Sequence, residues 1–246
     1  MKLIIFLLLI SISSWAQVNI EKYRNLDVSG NLHENYNQTI NINTALTRST
    51  SSLYSIGINY FKPFPVNSFS YGFLISKINY GKSNGSEFAN DNFLHMRIMI
   101  KKEYMRLQPE IFSQYEKNDF SSTTLRYLVG FGARYKLSEN TIFGTSLLNE
   151  WYTEEGQSKK EVLRLSQYIH FRLRINPENK IDATFYIQPN INNFSDIRYF
   201  SHISFTNHIT KSISYNSNLI SRFYNKSITY PDLELFFKSG LEFKLN

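Results

Sequence analysis

The chain has 246 residues, a formal net charge of +7 and no cysteine, which excludes disulfide bonds and thiolate metal sites. Its basic residues are spread along the chain without a run of five, which argues against a nucleic-acid partner. Tyrosine and phenylalanine are abundant, and Asn and Ser crowd the gaps between apolar runs. This composition is typical of many β-strands joined by polar turns.

The first residues have the pattern of a secretory signal peptide. Lys2 provides a positive start, residues 3–10 are apolar, and Ser14 and Ala16 stand at the small-residue positions of a cleavage site. We expect cleavage after Ala16, which would leave a net charge of +6 because Lys2 is the only charged residue removed. The predicted organisation is a signal peptide at 1–16, a leading segment at 17–37 and a β-barrel at 38–246.

No later segment approaches the roughly 18 consecutive apolar residues of a membrane-spanning helix, so insertion into a membrane would require strands. Alternation of apolar and polar residues with period 2 predicts such strands along the whole chain. If the first and last strands of the barrel both have their free ends on the same side of the membrane, the strand number must be even. We therefore predict twelve strands that start near residue 38, within a range of ten to fourteen. The predicted strands are 26–34, 38–47, 51–61, 69–80, 92–101, 104–116, 123–136, 141–152, 162–175, 180–189, 196–207, 211–222 and 232–245.

The strand at 162–175 shows the pattern best. Leu163, Leu165 and other apolar residues share one parity, and arginines share the other. Its length of about fourteen residues exceeds the five or six of an average soluble strand and suffices for the 9–11 tilted residues of a membrane crossing. We therefore predict an all-β fold, an antiparallel up-and-down transmembrane β-barrel. A secreted soluble β-sandwich that binds a surface or a glycan is an alternative.

The predicted connections from residue 81 onward alternate between long and short. Outer-membrane barrels have short periplasmic turns and longer outer loops. We therefore expect the connections at 81–91, 153–161 and 223–231 to face outward and the C-terminus to lie in the periplasm. The segment 62–68 departs from this pattern, because it is a long connection on the short side.

Four stretches carry a resemblance to a known family: RYLVGFGAR at 126–134, RLS at 164–166, SDIRY at 195–199 and SGLEFKL at 239–245. They resemble the salt-induced outer-membrane protein family, which comprises envelope β-barrels of Gram-negative bacteria without a defined biochemical role. The aromatic, Asn-rich composition is similar to versions from the Bacteroidetes. The resemblance implies an outer-membrane location and a barrel fold, and it supplies no functional residues.

The end of the chain is similar to the signal that the barrel assembly machinery recognises on a final strand. This signal has a polar residue, a glycine and two apolar residues, which correspond to Lys238, Gly240, Phe243 and Leu245. Recognition would occur by strand addition. The sequence departs from the usual pattern because it ends in Leu245-Asn246 and not in an aromatic residue.

Charged residues of the inward parity predict the character of the lumen. They could form an ion-pair network that fills the barrel, or they could line a narrow pore or an anion-binding cavity. Each buried arginine needs a partner, because an unpaired buried charge costs several kcal/mol. The predicted lumen charges are Arg106, Glu110, Arg126, Arg134, Arg164, Arg172, Arg174, Asp182, Glu234 and Glu242.

Other candidate features were weighed against structural roles. His202 and Ser204 share a face, as in a hydrolase or deacylase acting on membrane lipid, but their parity carries polar residues and suggests the lumen. Gly130 and Gly132 could admit neighbouring arginines or permit a bend. Aromatic residues near strand ends predict interface girdles: Tyr60, Phe61, Tyr80, Trp151, Tyr152, Phe223 and Tyr224.

The prediction is therefore an outer-membrane β-barrel that is not an enzyme and uses no cofactor or metal. Its role would be structural, or that of a narrow pore or small-solute cavity with an Arg-rich lumen. The expected partners are outer-membrane lipids and, during biogenesis, the assembly machinery. The sequence leaves the solute, the physiological trigger and the oligomeric state open.

Overall fold

The computed structural model describes residues 39–48, 52–100, 106–119, 123–154, 156–225 and 233–243. The predicted signal peptide, the leading segment and the predicted strand at 26–34 lie outside these ranges. Within them the chain forms twelve strands and no helix long and apolar enough to cross a bilayer. The strands are β1 Thr39–Arg48, β2 Ser52–Asn67, β3 Ser70–Ser83, β4 Ser86–Ile100, β5 Leu107–Asn118, β6 Thr123–Lys136, β7 Thr141–Glu154, β8 Lys160–Arg174, β9 Asn179–Asn190, β10 Asn193–His208, β11 Ile213–Tyr224 and β12 Leu233–Phe243.

All strands belong to one antiparallel sheet in the order of the sequence, from β1 to β12. The predicted all-β, up-and-down fold with twelve strands is confirmed. β1 and β12 lie near each other in space, but no backbone ladder joins these two strands within the described ranges. The sheet is strongly curved. Its curvature brings β7 and β11 together, as shown by the hydroxyl oxygens of Tyr152 and Tyr224, which are 3.2 Å apart. Side chains from distant strands therefore meet across the concave side, which we call the interior.

The connections form two edges of the sheet. Edge A carries the turns that follow β3, β5, β7 and β9, and edge B carries the turns that follow β2, β6, β8 and β10. The predicted contrast between long and short connections is absent from several turns. The β3–β4 and β9–β10 turns of edge A are tight, since β4 starts at Ser86 and β10 starts at Asn193.

The segment 81–91, predicted as a long loop, is a β-hairpin. Asn84 and Gly85 both have positive φ, at 50° and 84°. These are the signs of φ that a type I′ turn requires, and Asn-Gly is the preferred pair for that turn. The Asn-Gly pair was thus a hairpin signal that the loop prediction missed.

The segment 62–68, also predicted as a connection, extends β2 to Asn67. Two prolines in this run argued against a strand, because proline cannot donate a hydrogen bond to a sheet. However, the β1 ladder ends at the Thr39–Phe61 pair, whereas β2 continues to pair with β3 beyond that point. Pro63 and Pro65 therefore lie beyond the last described pair of the β1–β2 ladder and are opposite Phe73 and Tyr71 of β3.

Candidate functional site

The distribution of side chains is the reverse of that in a soluble protein. Arg164 and Glu150 are completely buried (0% exposed), whereas Phe131 and Leu235 are 63% and 64% exposed. The apolar residues of alternate positions point outward along most strands, and the polar residues of the other parity point into the interior. A soluble sheet would place the apolar parity in its core, so this arrangement fits an apolar solvent around the sheet.

The centre of the interior near edge A is a cluster of charges around Glu150 on β7. This carboxylate accepts hydrogen bonds from Arg126, Arg164 and Arg198. The Arg164 Nε atom lies 2.6 Å from Glu150 Oε2. The three arginines come from β6, β8 and β10, so one carboxylate connects four strands of the sheet.

Further contacts satisfy the guanidinium groups. Arg164 also donates to the Asp196 carboxylate at 3.0 Å and to the backbone carbonyls of Gln188 and Asp196. Arg126 lies 3.8 Å from a carboxylate oxygen of Glu116. The four groups that surround the Arg164 guanidinium explain how a fully buried arginine is tolerated.

Arg198 is held between two aromatic rings. Its guanidinium carbon lies 4.7 Å from the ring centre of Tyr152 and 4.5 Å from that of Tyr224, within the range of cation–π attraction. Tyr152 and Tyr224 were predicted as girdle residues, and the structure corrects this: both take part in the interior cluster. Their parity is that of Glu150 and Arg222, and this polar parity points inward.

A second cluster surrounds Asp182 on β9, nearer edge B. The Arg172 Nε atom donates to Asp182 Oδ1 at 2.7 Å, and Lys180 Nζ lies 3.8 Å from Asp182 Oδ2. His170 Nε2 lies 3.5 Å from the same carboxylate, and its Nδ1 atom is 2.8 Å from the hydroxyl of Thr184. This cluster has an excess of positive groups around one buried acid.

A third ion pair joins Arg97 on β4 to Glu110 on β5, and both side chains are buried. The Arg97 guanidinium stacks on the Phe112 ring at 4.2 Å. That ring occupies the space that a side chain at Gly130 would need, since a Cβ there would be 2.4 Å from Phe112. Gly130 therefore makes room for a phenylalanine ring and not for the arginine that the sequence analysis considered.

Gly144 on β7 has the same function for another ring. A Cβ atom at this position would lie 1.9 Å from Tyr168 Cε1. A Cβ atom at Gly132 would meet the backbone of Thr145 and Ser146, at 2.3 Å from the Thr145 carbonyl oxygen. Gly130 and Gly144 thus allow aromatic rings to lie against the inner wall, whereas Gly132 allows close approach of the neighbouring backbone.

The middle of the interior is filled by apolar and aromatic side chains. One group consists of Phe112, Leu128 and Leu148, and a second of Tyr168, Tyr186, Phe200 and Ile220. A cavity of about 30 Å³ lies between these groups, which is room for no more than a few water molecules. Polar side chains such as Gln114 and Gln188 line it together with the rings. A third apolar group lies on the side of β2 to β4 and consists of Phe61, Tyr71, Phe73, Ile75, Phe93 and Met99. Phe61 was predicted as a girdle residue and is instead part of this inner group.

Of the ten predicted lumen charges, six lie in or beside these clusters, two lie elsewhere, and two have side chains outside the described set. Arg106 and Arg174 are exposed at edge B, because the inward parity no longer points into the interior at the strand ends. Arg134 is half-buried and donates to the Gln108 amide oxygen at 2.5 Å. The side chains of Glu234 and Glu242 are outside the described set. The residues that lie in the clusters are Glu110, Arg126, Arg164, Arg172 and Asp182, with Arg134 beside them.

Glu150, Asp196 and Arg198 are not among the predicted lumen charges, although Arg198 shares the inward parity of His202 and Ser204. The inward parity of β7 mixes Glu150 with Leu148 and Tyr152, so its polar signal was diluted. Asp196 and Arg198 were visible in the SDIRY stretch, where they share a parity, but nothing in the sequence paired them with β7 or β8. Their partners are 32 and 48 residues away.

The predicted assembly residues Lys238, Gly240 and Phe243 lie on β12, and Leu245 lies outside the described residues. His202 and Ser204 are both buried in the interior, as their parity predicted. His202 Nε2 is 2.9 Å from the Asn218 amide oxygen, while the Ser204 hydroxyl has no hydrogen-bond partner in the described part of the chain. The two side chains therefore do not form the hydrogen-bonded pair that activates a serine.

Aromatic pairs lie on the outer surface toward edge A. Tyr115 and Tyr127 have ring centres 5.0 Å apart, and Trp151 is opposite Tyr127 in the ladder. Two further pairs continue this outer band, Tyr54 with Tyr80 and Tyr199 with Phe223. The described residues include no group of three His, Asp or Glu side chains that could hold a metal ion.

The twelve-stranded curved sheet, its inward charges and its outward apolar side chains define the class of outer-membrane-type β-barrels. The chain belongs to the family described as "Protein of unknown function, DUF481", whose model matches residues 68–229. No curated protein matches the chain.

Two solved structures are similar to the chain. The NanC porin is 13% identical, with a TM-score of 0.51, over 85% of this chain and 100% of the porin chain. The translocator domain of the autotransporter NalP from Neisseria meningitidis is 9% identical, with a TM-score of 0.45, over 92% of this chain and 95% of that chain. The porin supports the barrel fold, and the predicted salt-induced and Bacteroidetes affiliations are not tested by these matches.

Proposed function

We propose that the protein is an outer-membrane β-barrel with a structural role and an interior closed to solutes. The observation that supports this proposal best is the Glu150 cluster, which ties β6, β7, β8 and β10 together across the interior. Beside the cluster, a cavity of about 30 Å³ lies among aromatic, apolar and polar side chains. A porin lumen is an aqueous channel, whereas this interior is packed like a core.

The proposed route and orientation follow from the sequence pattern. The signal peptide at 1–16 directs export, the last strand is recognised by the barrel assembly machinery, and the C-terminus lies in the periplasm. Edge B is then periplasmic and edge A faces outward. The outer aromatic pairs near edge A are consistent with a membrane interface, where Tyr and Trp rings are enriched.

The test has two parts, carried out on the full chain expressed in Gram-negative cells. The envelope fraction is first run on SDS gels with and without boiling, and we expect a compact band that shifts on boiling. The purified protein is then inserted into planar bilayers, where we expect no steady conductance. Recovery in the soluble fraction without a heat shift would refute the membrane location, and stable channels of the wild-type protein would refute the closed interior.

A matched pair of variants makes the conductance result specific. Tyr168 and Tyr186 pack in the interior with ring centres 5.0 Å apart, as do Tyr115 and Tyr127 on the outer surface. Replacing both inner tyrosines with alanine should open the cavity and produce channels. The same double replacement outside should leave the bilayer silent.

A further inference from the structure

We propose that edge B is a binding surface for the headgroups of anionic phospholipids. This inference rests on the proposed membrane location. Four basic residues mark four consecutive corners of this edge: Arg106 before β5, Lys136 at the end of β6, Arg174 at the end of β8 and Lys211 before β11. Arg106 and Lys136 are direct neighbours, since the Lys136 amide donates to the Arg106 carbonyl at 3.0 Å.

Each of these basic residues stands beside an exposed aliphatic side chain. Leu107, Leu137, Ile175 and Ile209 are 51%, 53%, 57% and 57% exposed. Because these aliphatic side chains lie at the turns of edge B, the boundary of the hydrocarbon layer would lie at the level of the turns. The adjacent lysines and arginines then lie at the depth of the headgroups, where their long stems contact apolar groups and their charges reach phosphate.

The four basic side chains have no charged partner among the residues that the structure describes. Within the described ranges, none of Arg106, Lys136, Arg174 and Lys211 forms an ion pair or a side-chain hydrogen bond. The acidic residues exposed at this edge are Glu139 and Glu178. The described part of edge B therefore keeps a positive excess that an anionic surface would neutralise.

Edge A carries similar numbers of basic and acidic residues, and two of its lysines form ion pairs. Lys117 binds Asp119 at 3.2 Å, and Lys160 binds Glu154 at 2.6 Å. Basic residues at this edge are balanced by acidic ones among the described side chains: Lys82, Lys117, Lys159 and Lys160 against Glu87, Asp119, Glu154 and Glu161. The contrast between the edges assigns the anionic lipid to edge B, since each Lys or Arg near an anionic membrane surface contributes about a fivefold preference.

The experiment measures lipid selectivity by electron spin resonance. The full chain is reconstituted in phosphatidylcholine vesicles with trace spin-labelled phosphatidylglycerol or spin-labelled phosphatidylcholine, and the protein-bound fraction of each label is compared. We expect a preference of several-fold for phosphatidylglycerol, reduced by 0.5 M salt because exposed charges are screened. Replacing Arg106, Lys136, Arg174 and Lys211 with glutamine should abolish it.

A control variant removes the same charge from the other edge, with Lys82, Lys117, Lys159 and Lys160 replaced by glutamine. Retention of the phosphatidylglycerol preference in this control supports the proposal, whereas equal loss in both variants overturns it in favour of a net-charge effect. No preference in the wild-type protein also overturns it. A heat shift on SDS gels, measured for every variant in pure phosphatidylcholine, separates a failure of lipid binding from a failure of the barrel.

Discussion

Replacement of Glu150 by glutamine is expected to destabilise the fold strongly, although the side chain keeps its size. Glu150 is fully buried and forms ion pairs with Arg126, Arg164 and Arg198. In the variant, Arg164 keeps Asp196 and Arg126 keeps the more distant Glu116. Among the described residues, Arg198 keeps its two aromatic rings and the distant charge of Glu116, without a carboxylate in direct contact. Removing one partner of a buried ion pair costs about 3–5 kcal/mol, and we expect about 3 kcal/mol because glutamine still offers one acceptor.

The assay is equilibrium urea unfolding in lipid vesicles, followed by the fluorescence of Trp151 on the outer aromatic band. Glu161→Gln is the matched control on the neighbouring strand. It removes the same charge from an exposed site, where Glu161 accepts a hydrogen bond from Asn149 at 2.7 Å, and it should change the free energy of unfolding by less than about 0.5 kcal/mol. Equal midpoints for Glu150→Gln and Glu161→Gln would refute the argument that Glu150 holds the interior together.

A double-mutant cycle identifies the source of the cost. If the unpaired Arg198 causes part of the loss, then Arg198→Gln in the Glu150→Gln background should restore some stability. The coupling of residues in one network is about 0.5–3 kcal/mol. Strict additivity of the two substitutions would show that Arg198 and Glu150 act independently, contrary to their direct contact.

Three further predictions test other parts of the structure. Phe131→Lys places a charge on the outer surface at a site 63% exposed, and it should cost about 2–4 kcal/mol in vesicles if that site faces the middle of a bilayer; a soluble sheet would tolerate it. Gly144→Ala should cost about 1–3 kcal/mol through overpacking against Tyr168, whereas the outward Thr145→Ala should be near neutral, as urea midpoints would show. Phe112→Ala should cost about 3–5 kcal/mol and produce measurable bilayer conductance, and a silent bilayer would mean that other side chains block the interior.

The strand number and the inward or outward direction of most side chains could be predicted from the sequence. The alternation of apolar and polar residues persists over ten or more residues in β6 and β8, so few side chains of these strands are assigned to the wrong face. Loop assignments failed where local chemistry was subtle, as in the Asn84-Gly85 turn and at Pro63 and Pro65. The contacts of Glu150 could not be predicted, because they depend on how far the sheet curls and thus on which distant strands meet.

On the proposed membrane location, the charge clusters also explain how the sheet keeps its register in an apolar solvent. In a soluble sheet, a slip of one residue between strands exposes the hydrophobic set to water. In this barrel, such a slip of β7 would move Glu150 to the outer surface and leave Arg126, Arg164 and Arg198 without their shared partner. Both effects cost several kcal/mol, whereas hydrocarbon contacts alone change little between outward aliphatic positions. The buried ion pairs therefore determine the register of the strands. The outward apolar residues determine only that the sheet prefers an apolar solvent.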